Sequence, residues 1–246
     1  MLCSLAQFKT RYGISLTADD AAIERILLGV SAQLAIASGR VNNGAPCLEL
    51  SNLTVYRDAE RLQEDIELPA WPIVSIASVK EALNNAFSTA TALVADSDYY
   101  SQPAAGKLWR MGWWLPGRQT VQVVYSGGYT FALPWVSGAA YVAGDCVTSA
   151  GVLYRCVVNV TSATAPADDI YAAGPPATGH WTAAPTEVAV PDDIIEAALQ
   201  QAGFHWQRRR QLGLSSESIS GANVSAYAED DLLPGVRTIM HAYRRI

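Results

Sequence analysis

The sequence predicts an α+β fold: a helical bundle drawn from both ends of the chain and packed on a small antiparallel β part, with a small all-β module inserted and projecting outward. Three observations predict it. Apolar residues recur at helical spacing near both termini, short alternating segments fill residues 48–129, and the texture changes again across 134–185. Half of the 246 residues are apolar, enough for a real core.

In chain order, Ser4 to Tyr12 reads as a short helix closed by Gly13. Thr17 then suits an N-cap, with Asp19 and Asp20 in the first turn of a second helix. Ile23, Ile26, Leu27, Val30 and Leu34 share its apolar face, and Gly39 ends it. Candidate strands follow at Leu53–Tyr56, Leu62–Leu68, Ile73–Leu83, Asp98–Gln102, Lys107–Met111 and Thr120–Tyr125. In the last of these Val121, Val123 and Tyr125 fall on one face, and Gly127-Gly128 breaks it. The run Leu68-Pro69-Ala70-Trp71-Pro72 reads as a corner, because each proline lacks a donor and restricts its predecessor.

Residues 134–185 are rich in Ala, Gly, Thr and Pro and poor in charge, and become loop-like around Ala165 to Gly179. Tyr141–Thr148 and Val152–Val158 form a hairpin around Ser149-Ala150-Gly151. In a register centred on that turn, Cys146 and Cys156 come opposite each other. The sequence leaves open whether they pair, since no signal peptide is visible and a reducing cytoplasm is expected for Cys3, Cys47, Cys146 and Cys156. After Pro191 the helical period returns, with Asp192 and Asp193 at the positive end of the dipole, a stripe of Ile194, Ile195, Ala198, Leu199, Ala202 and Trp206, and Arg208, Arg209 and Arg210 at the negative end. A serine-rich loop, Leu212 to Ala228, precedes a final helix from Leu233 or Pro234 to Tyr243.

The net charge of -6 argues against a protein that grips nucleic acid with its whole surface, yet permits one past which DNA slides. No run is long and apolar enough to span a membrane. Neither catalytic nor metal nor cofactor residues are expected. His180, His205 and His241 lack ligand spacing, no phosphate loop or nucleophile elbow is present, and Asp168-Asp169 and Asp192-Asp193 lie in a polar loop and a helix first turn.

Val123-Val124-Tyr125-Ser126-Gly127-Gly128-Tyr129, the segment Val190-Pro191-Asp192-Asp193-Ile194-Ile195-Glu196, the aromatic and arginine-bearing helix end Phe204-His205-Trp206-Gln207-Arg208-Arg209, the stretch Gly213 to Ser220, and the close Pro234-Gly235-Val236…Tyr243-Arg244-Arg245 occur in the order found in head–tail connector (adaptor) proteins of tailed phages and gene transfer agents. The resemblance covers 1–133 and 186–246, which it implies form one discontinuous adaptor core. The gap between Tyr129 and Val190 is too long for that pattern, so 134–185 is expected to be an inserted domain. Within it Trp135, Tyr141, Gly144-Asp145, Val147, Gly151, Tyr154-Arg155 and Trp181 resemble small chitin-binding, carbohydrate-binding modules.

The resemblance implies a non-enzymatic virion protein at the neck, made in the host bacterial cytoplasm. Copies would form a ring of twelve that docks on the portal protein after DNA packaging and presents a platform to a stopper or tail-proximal neck protein. DNA would pass through without sequence readout. The C-terminal Tyr243, Arg244, Arg245 and Ile246 would meet the portal. Two other roles stay open: a carbohydrate-binding attachment protein using the insert, and a stopper or tail completion protein of the same neck. Trp135, Tyr141, Tyr154 and Trp181 are either glycan contacts or the core of a very small domain. Trp113 and Trp114 are either a subunit or tail contact, or ordinary core. Arg208, Arg209 and Arg210 either hold phosphate or a neighbouring subunit, or complement a helix end.

Overall fold

The computed structural model describes residues 1–171, 179–209 and 232–244, together with the backbone of 216–218 and 224–226. It is mixed α+β, and the chain separates into two compact units: residues 1–40 with 191–246, and residues 41–190.

The first unit is helical. In α1 (Leu5–Tyr12) the Ser4 hydroxyl accepts from the Gln7 N–H while the Gln7 side chain accepts from the Ser4 N–H, a reciprocal cap that satisfies two free donors. Gly13 ends α1 at φ 65, where a side chain would be strained. Helix α2 (Asp20–Ala37) buries Ile23, Leu27, Val30, Leu34 and Ala35. Its N-cap is Asp19 rather than Thr17, whose carbonyl instead accepts from the Asp20 N–H at 3.1 Å in a preceding turn. Helix α3 (Asp192–Arg208) follows Pro191 and buries Ile194, Ala198, Leu199, Ala202 and Trp206. Helix α4 (Pro234–Ala242) buries Val236 and Met240.

Polar contacts set the packing of this unit. Lys9 reaches Asp20 at 2.7 Å, and Arg11 grips both oxygens of Glu196 at 2.8 and 2.6 Å. The Tyr12 hydroxyl donates to the Leu199 carbonyl, and it lies where a Cβ on Gly203 would stand. That glycine is what lets α1 approach α3. The serine-rich segment is not wholly irregular: Ser216–Ser218 pairs with Val224–Ala226 as an antiparallel hairpin, and the remainder of it lies outside the described residues.

The second unit is built of β-structure. After the small pair β1 (Val41–Asn42) and β2 (Ala45–Pro46) come β3 (Ser51–Ala59), β4 (Asp65–Glu67), β5 (Ile73–Glu81), β6 (Tyr99–Gln102), β7 (Lys107–Arg110) and β8 (Gly117–Gly127). Two antiparallel three-stranded sheets result, ordered β3-β8-β5 and β4-β7-β6. The predicted strand Leu62–Leu68 shrinks to β4 because Leu62 takes φ 66, which no strand admits. Val121, Val123 and Tyr125 point inward as their alternation predicts, joining Val55, Ile66, Leu68, Val79, Leu108 and Trp114 in one core.

The Tyr125 hydroxyl accepts the buried Ala70 N–H at 2.9 Å, pinning the corner whose Trp71-Pro72 bond is cis. Replacing Tyr125 by Phe leaves that donor unsatisfied. We expect a loss of about 1–3 kcal/mol, read from the denaturant midpoint. An unchanged midpoint would mean that the hydrogen bond does not hold the corner.

Residues 133–183 carry β9 (Leu133–Pro134), β10 (Ala139–Tyr141), β11 (Cys146–Ser149), β12 (Val152–Cys156), β13 (Val160–Ser162) and β14 (Trp181–Ala183). Four of them form a sheet ordered β14-β12-β11-β9, with β9 parallel to β11, and β10 pairs with β13. The β11–β12 turn corrects the predicted register. Ala150 and Gly151 both have positive φ, 49 and 78, and make a two-residue loop that pairs Ser149 with Val152. Cys146 therefore opposes Arg155, while Cys156 opposes Trp181 on β14. A one-residue slip sends the two thiols to opposite faces, and both are free.

Candidate functional site

The C-terminal segment begins with a latch. The Tyr243 hydroxyl donates to the Asp193 carboxylate, 2.7 and 2.9 Å from its two oxygens, which ties the end of α4 to the first turn of α3. At the other end of α4 the Leu233 N–H donates to the Gln201 side chain at 3.0 Å, so α4 runs antiparallel to α3. Tyr243 thus has an internal role, while Arg244 is exposed. Arg245 and Ile246 lie outside the described residues. At the C-terminal end of α3, Arg209 sits 3.3 Å over the Trp206 ring and donates to the Trp206 carbonyl, and Arg208 lies 4.9 Å over Phe204. Arg209 acts as a cap that stacks on its own helix. Arg210 lies outside the described residues.

The Trp113-Trp114 pair splits. Trp114 is 1% exposed, its indole N–H donating to the Glu64 carbonyl at 2.9 Å, whereas Trp113 is 59% exposed. Leu62 and Met111 are exposed as well, and the Trp114 N–H bond to the Gln63 carbonyl brings Trp113 to the same end of the β4–β7 pair. Successive side chains in extended backbone point to opposite sides, which is why one ring is core and its neighbour is surface.

Within residues 133–183, Trp181 is 0% and Tyr154 6% exposed, and with Val147 and Cys156 they form a small core cluster. Trp135 and Tyr141 are half-buried and pack against that cluster. The Tyr141 ring meets Trp181 edge-on at 5.1 Å, and its hydroxyl accepts the Val136 N–H at 2.7 Å. Two of the four aromatics thus retain surface. Tyr171 is half-buried at the edge of the described region, and Pro175 and Pro176 lie beyond it. Burial raises the thiol pKa of both Cys146 and Cys156 above its ordinary value.

One constellation had no signal in the sequence. The Glu187 carboxylate accepts from the Thr130 hydroxyl at 2.6 Å and from Arg155 at 2.8 Å to each oxygen. Backbone bonds run beside it, from the Thr130 N–H to the Val188 carbonyl at 2.8 Å and from the Val190 N–H to the Thr130 carbonyl at 3.0 Å. The two chain segments that flank residues 134–185 are therefore clasped together, and Arg155 of β12 is held to them. The partners are far apart in sequence, so no local motif announces them.

Asp169 and His180 Nδ1 lie 2.8 Å apart. Asp168 ends a short 3-10 turn, and Asp192 sits with Asp193 in the first turn of α3. Among the described residues no group of three or more His, Cys, Asp or Glu side chains is placed to hold a metal ion. No described helix is long and apolar enough to cross a membrane.

Residues 134–172 match the family model of carbohydrate-binding module family 5/12. No curated protein matches the chain. Among solved structures, the fold is similar to a chain in the neck of an empty GTA particle computed with C6 symmetry, at 13% identity and TM-score 0.51, covering 100% of this chain and 90% of that one. It is similar also to a chain of the virion of a native gene transfer agent (GTA) particle, at 15% identity and TM-score 0.52 with the same coverage.

Proposed function

We propose that the chain is a structural, non-enzymatic subunit of a particle neck: a head–tail adaptor whose copies form a closed ring between the portal and the next neck or tail component. The observation that carries this reading is the likeness of fold over the whole chain to a neck chain of a symmetric particle. The order of motifs in the sequence supports it independently. Around a closed ring many modest interfaces add up, so no single large apolar face is required of one subunit. A ring of twelve is compatible with sixfold averaging. Residues 1–133 and 186–246 form the adaptor core in this reading, and 134–185 the inserted domain. Arg244, Arg245 and Ile246, which follow Tyr243 in the sequence, make the portal contact in this reading, and the exposed Trp113 meets a neighbouring subunit or tail component. DNA passes through the lumen without being read.

Mass spectrometry of dissected particles tests the assignment. The chain is expected in the neck fraction, in multiple copies per particle, and retained there when tails are stripped. Its absence from that fraction overturns the reading.

A second reading is favoured by the family-model match at 134–172 and by the surface left on Trp135 and Tyr141: the insert binds polysaccharide and attaches the particle to a coat or wall. It is compatible with the first, since an adaptor can carry an attachment module outward. Retention of the full chain on chitin, lost on Trp135→Ala, is the expected result. Equal retention of both proteins would remove Trp135 from the binding surface.

A further inference from the structure

We infer that the outward face of the β3-β8-β5 sheet carries a saccharide-binding pocket, separate from the insert and independent of the neck assignment. Across the three strands Tyr56, Gln122 and Lys80 stand opposite one another, one residue along from the inward-facing row of Val55, Val123 and Val79. They floor an open cavity of about 560 Å³, walled by the 83–88 loop and by Gln119. That volume suits one or two sugar rings.

The walls are shaped by backbone that the sheet does not need. Gln119 sits at φ 52 where the β3–β8 register shifts, its N–H held by the Asp58 carboxylate at 2.7 Å. Asn84 and Asn85 take φ 55 and 59 in the short turn Leu83–Asn85. Two left-handed non-glycine residues, Asn85 in the turn and Gln119 at the irregular start of β8, thus line one cavity from different parts of the chain. Bulges that re-aim a side chain and strained residues gather where a ligand is held.

The chemistry selects the ligand class. Tyr56 is 41% exposed and tilts against Phe87 at 5.5 Å, offering an aromatic surface for the C–H face of a pyranose. The side-chain amides of Asn85 and Gln119 and the Ser88 hydroxyl have no protein partner among the described residues. Gln122 donates to the Tyr56 hydroxyl at 3.1 Å, which leaves its carbonyl free to accept. An array of amides and hydroxyls, each able to donate or accept, matches sugar hydroxyls that do the same. A nucleic-acid strand is disfavoured. Among the described residues the only cation lining the cavity is Lys80, already donating to the Phe87 carbonyl at 3.1 Å, and the chain carries a net charge of -6.

Saturation-transfer NMR on the full chain tests this, with the methyl glycosides of glucose, galactose, N-acetylglucosamine, rhamnose and glucuronic acid as probes. At least one is expected to bind with millimolar affinity, weakened about tenfold or more by Tyr56→Ala and unaffected by Trp135→Ala. The double variant Asn85→Gly with Gln119→Gly removes both amides while relaxing both left-handed positions. It should melt at or above the wild-type temperature and still lose about tenfold in affinity. Three results each overturn the proposal: no glycoside binds, binding survives both variants, or binding disappears with Trp135→Ala instead.

Discussion

Cutting the chain after Tyr243 should abolish its joining to portal rings while leaving its melting temperature within about a degree of wild type, because Arg244 is exposed and the cut falls beyond the last turn of α4. The Tyr243–Asp193 latch decides where to cut. A truncation that also removed Tyr243 would release the end of α4 from α3, and a failure to join could then mean a loosened helix rather than a lost contact. With the cut placed one residue later, the helical unit keeps its latch and loses only Arg244, Arg245 and Ile246. Arginine is over-represented among interface hot spots, and loss of two together with an apolar terminus is expected to weaken portal binding on the order of 100-fold or more. Tyr243→Phe is the complementary variant. It should cost about 0.5–1.5 kcal/mol of stability through the lost hydrogen bond, yet join portal rings normally. Sedimentation of each variant with purified portal separates the outcomes. Normal joining by the truncated chain removes the segment from the interface, and failure of Tyr243→Phe alone would move the contact to the tyrosine.

Local chemistry made much of the fold legible. Ser4 with Gln7, Pro191 with Asp192 and Asp193, and the alternation of Val121, Val123 and Tyr125 each act within a few residues, so their helices and strand could be read directly. Legibility failed where one residue's backbone angle decides. Leu62 at positive φ shortened a strand, and Ala150 with Gly151 set a two-residue turn that moved every pairing of the hairpin by one. The proposed sites show the same division. Exposure of Trp113 and burial of Trp114 depend on which side of the chain meets the core, and adjacent identical residues carry no mark of that. Thr130, Arg155 and Glu187, or Tyr56, Lys80 and Gln122, meet only through tertiary structure. Long-range polar clusters of this kind leave no periodic trace.

Replacing Trp135–Pro185 with a flexible linker should leave a folded chain that still joins the portal but is no longer retained on chitin, whereas joining Pro134 directly to Thr186 should unfold the base. The reason is the direction of the two segments there. Thr130 and Ala189 form a parallel bridge, and strands that run parallel need a crossover between them, never a tight turn. Pro134, Thr148, Leu153 and Ala184 lie in one row across the four-stranded sheet, so Pro134 and the segment entering Thr186 stand three strand spacings, about 14 Å, apart. A peptide bond cannot span that, so direct joining pulls apart the Thr130–Val188 and Val190–Thr130 hydrogen bonds. About ten Gly/Ser residues cover the distance with slack. The linker variant still loses Arg155 from the Glu187 clasp, but Glu187 keeps its Thr130 partner and gains water, so the cost should stay near 1 kcal/mol. Thermal melts and portal sedimentation of the two variants give the comparison. If the linker variant fails to fold as badly as the direct join, residues 134–185 are an integral layer of the β unit rather than a passenger, and the discontinuous core falls with that result.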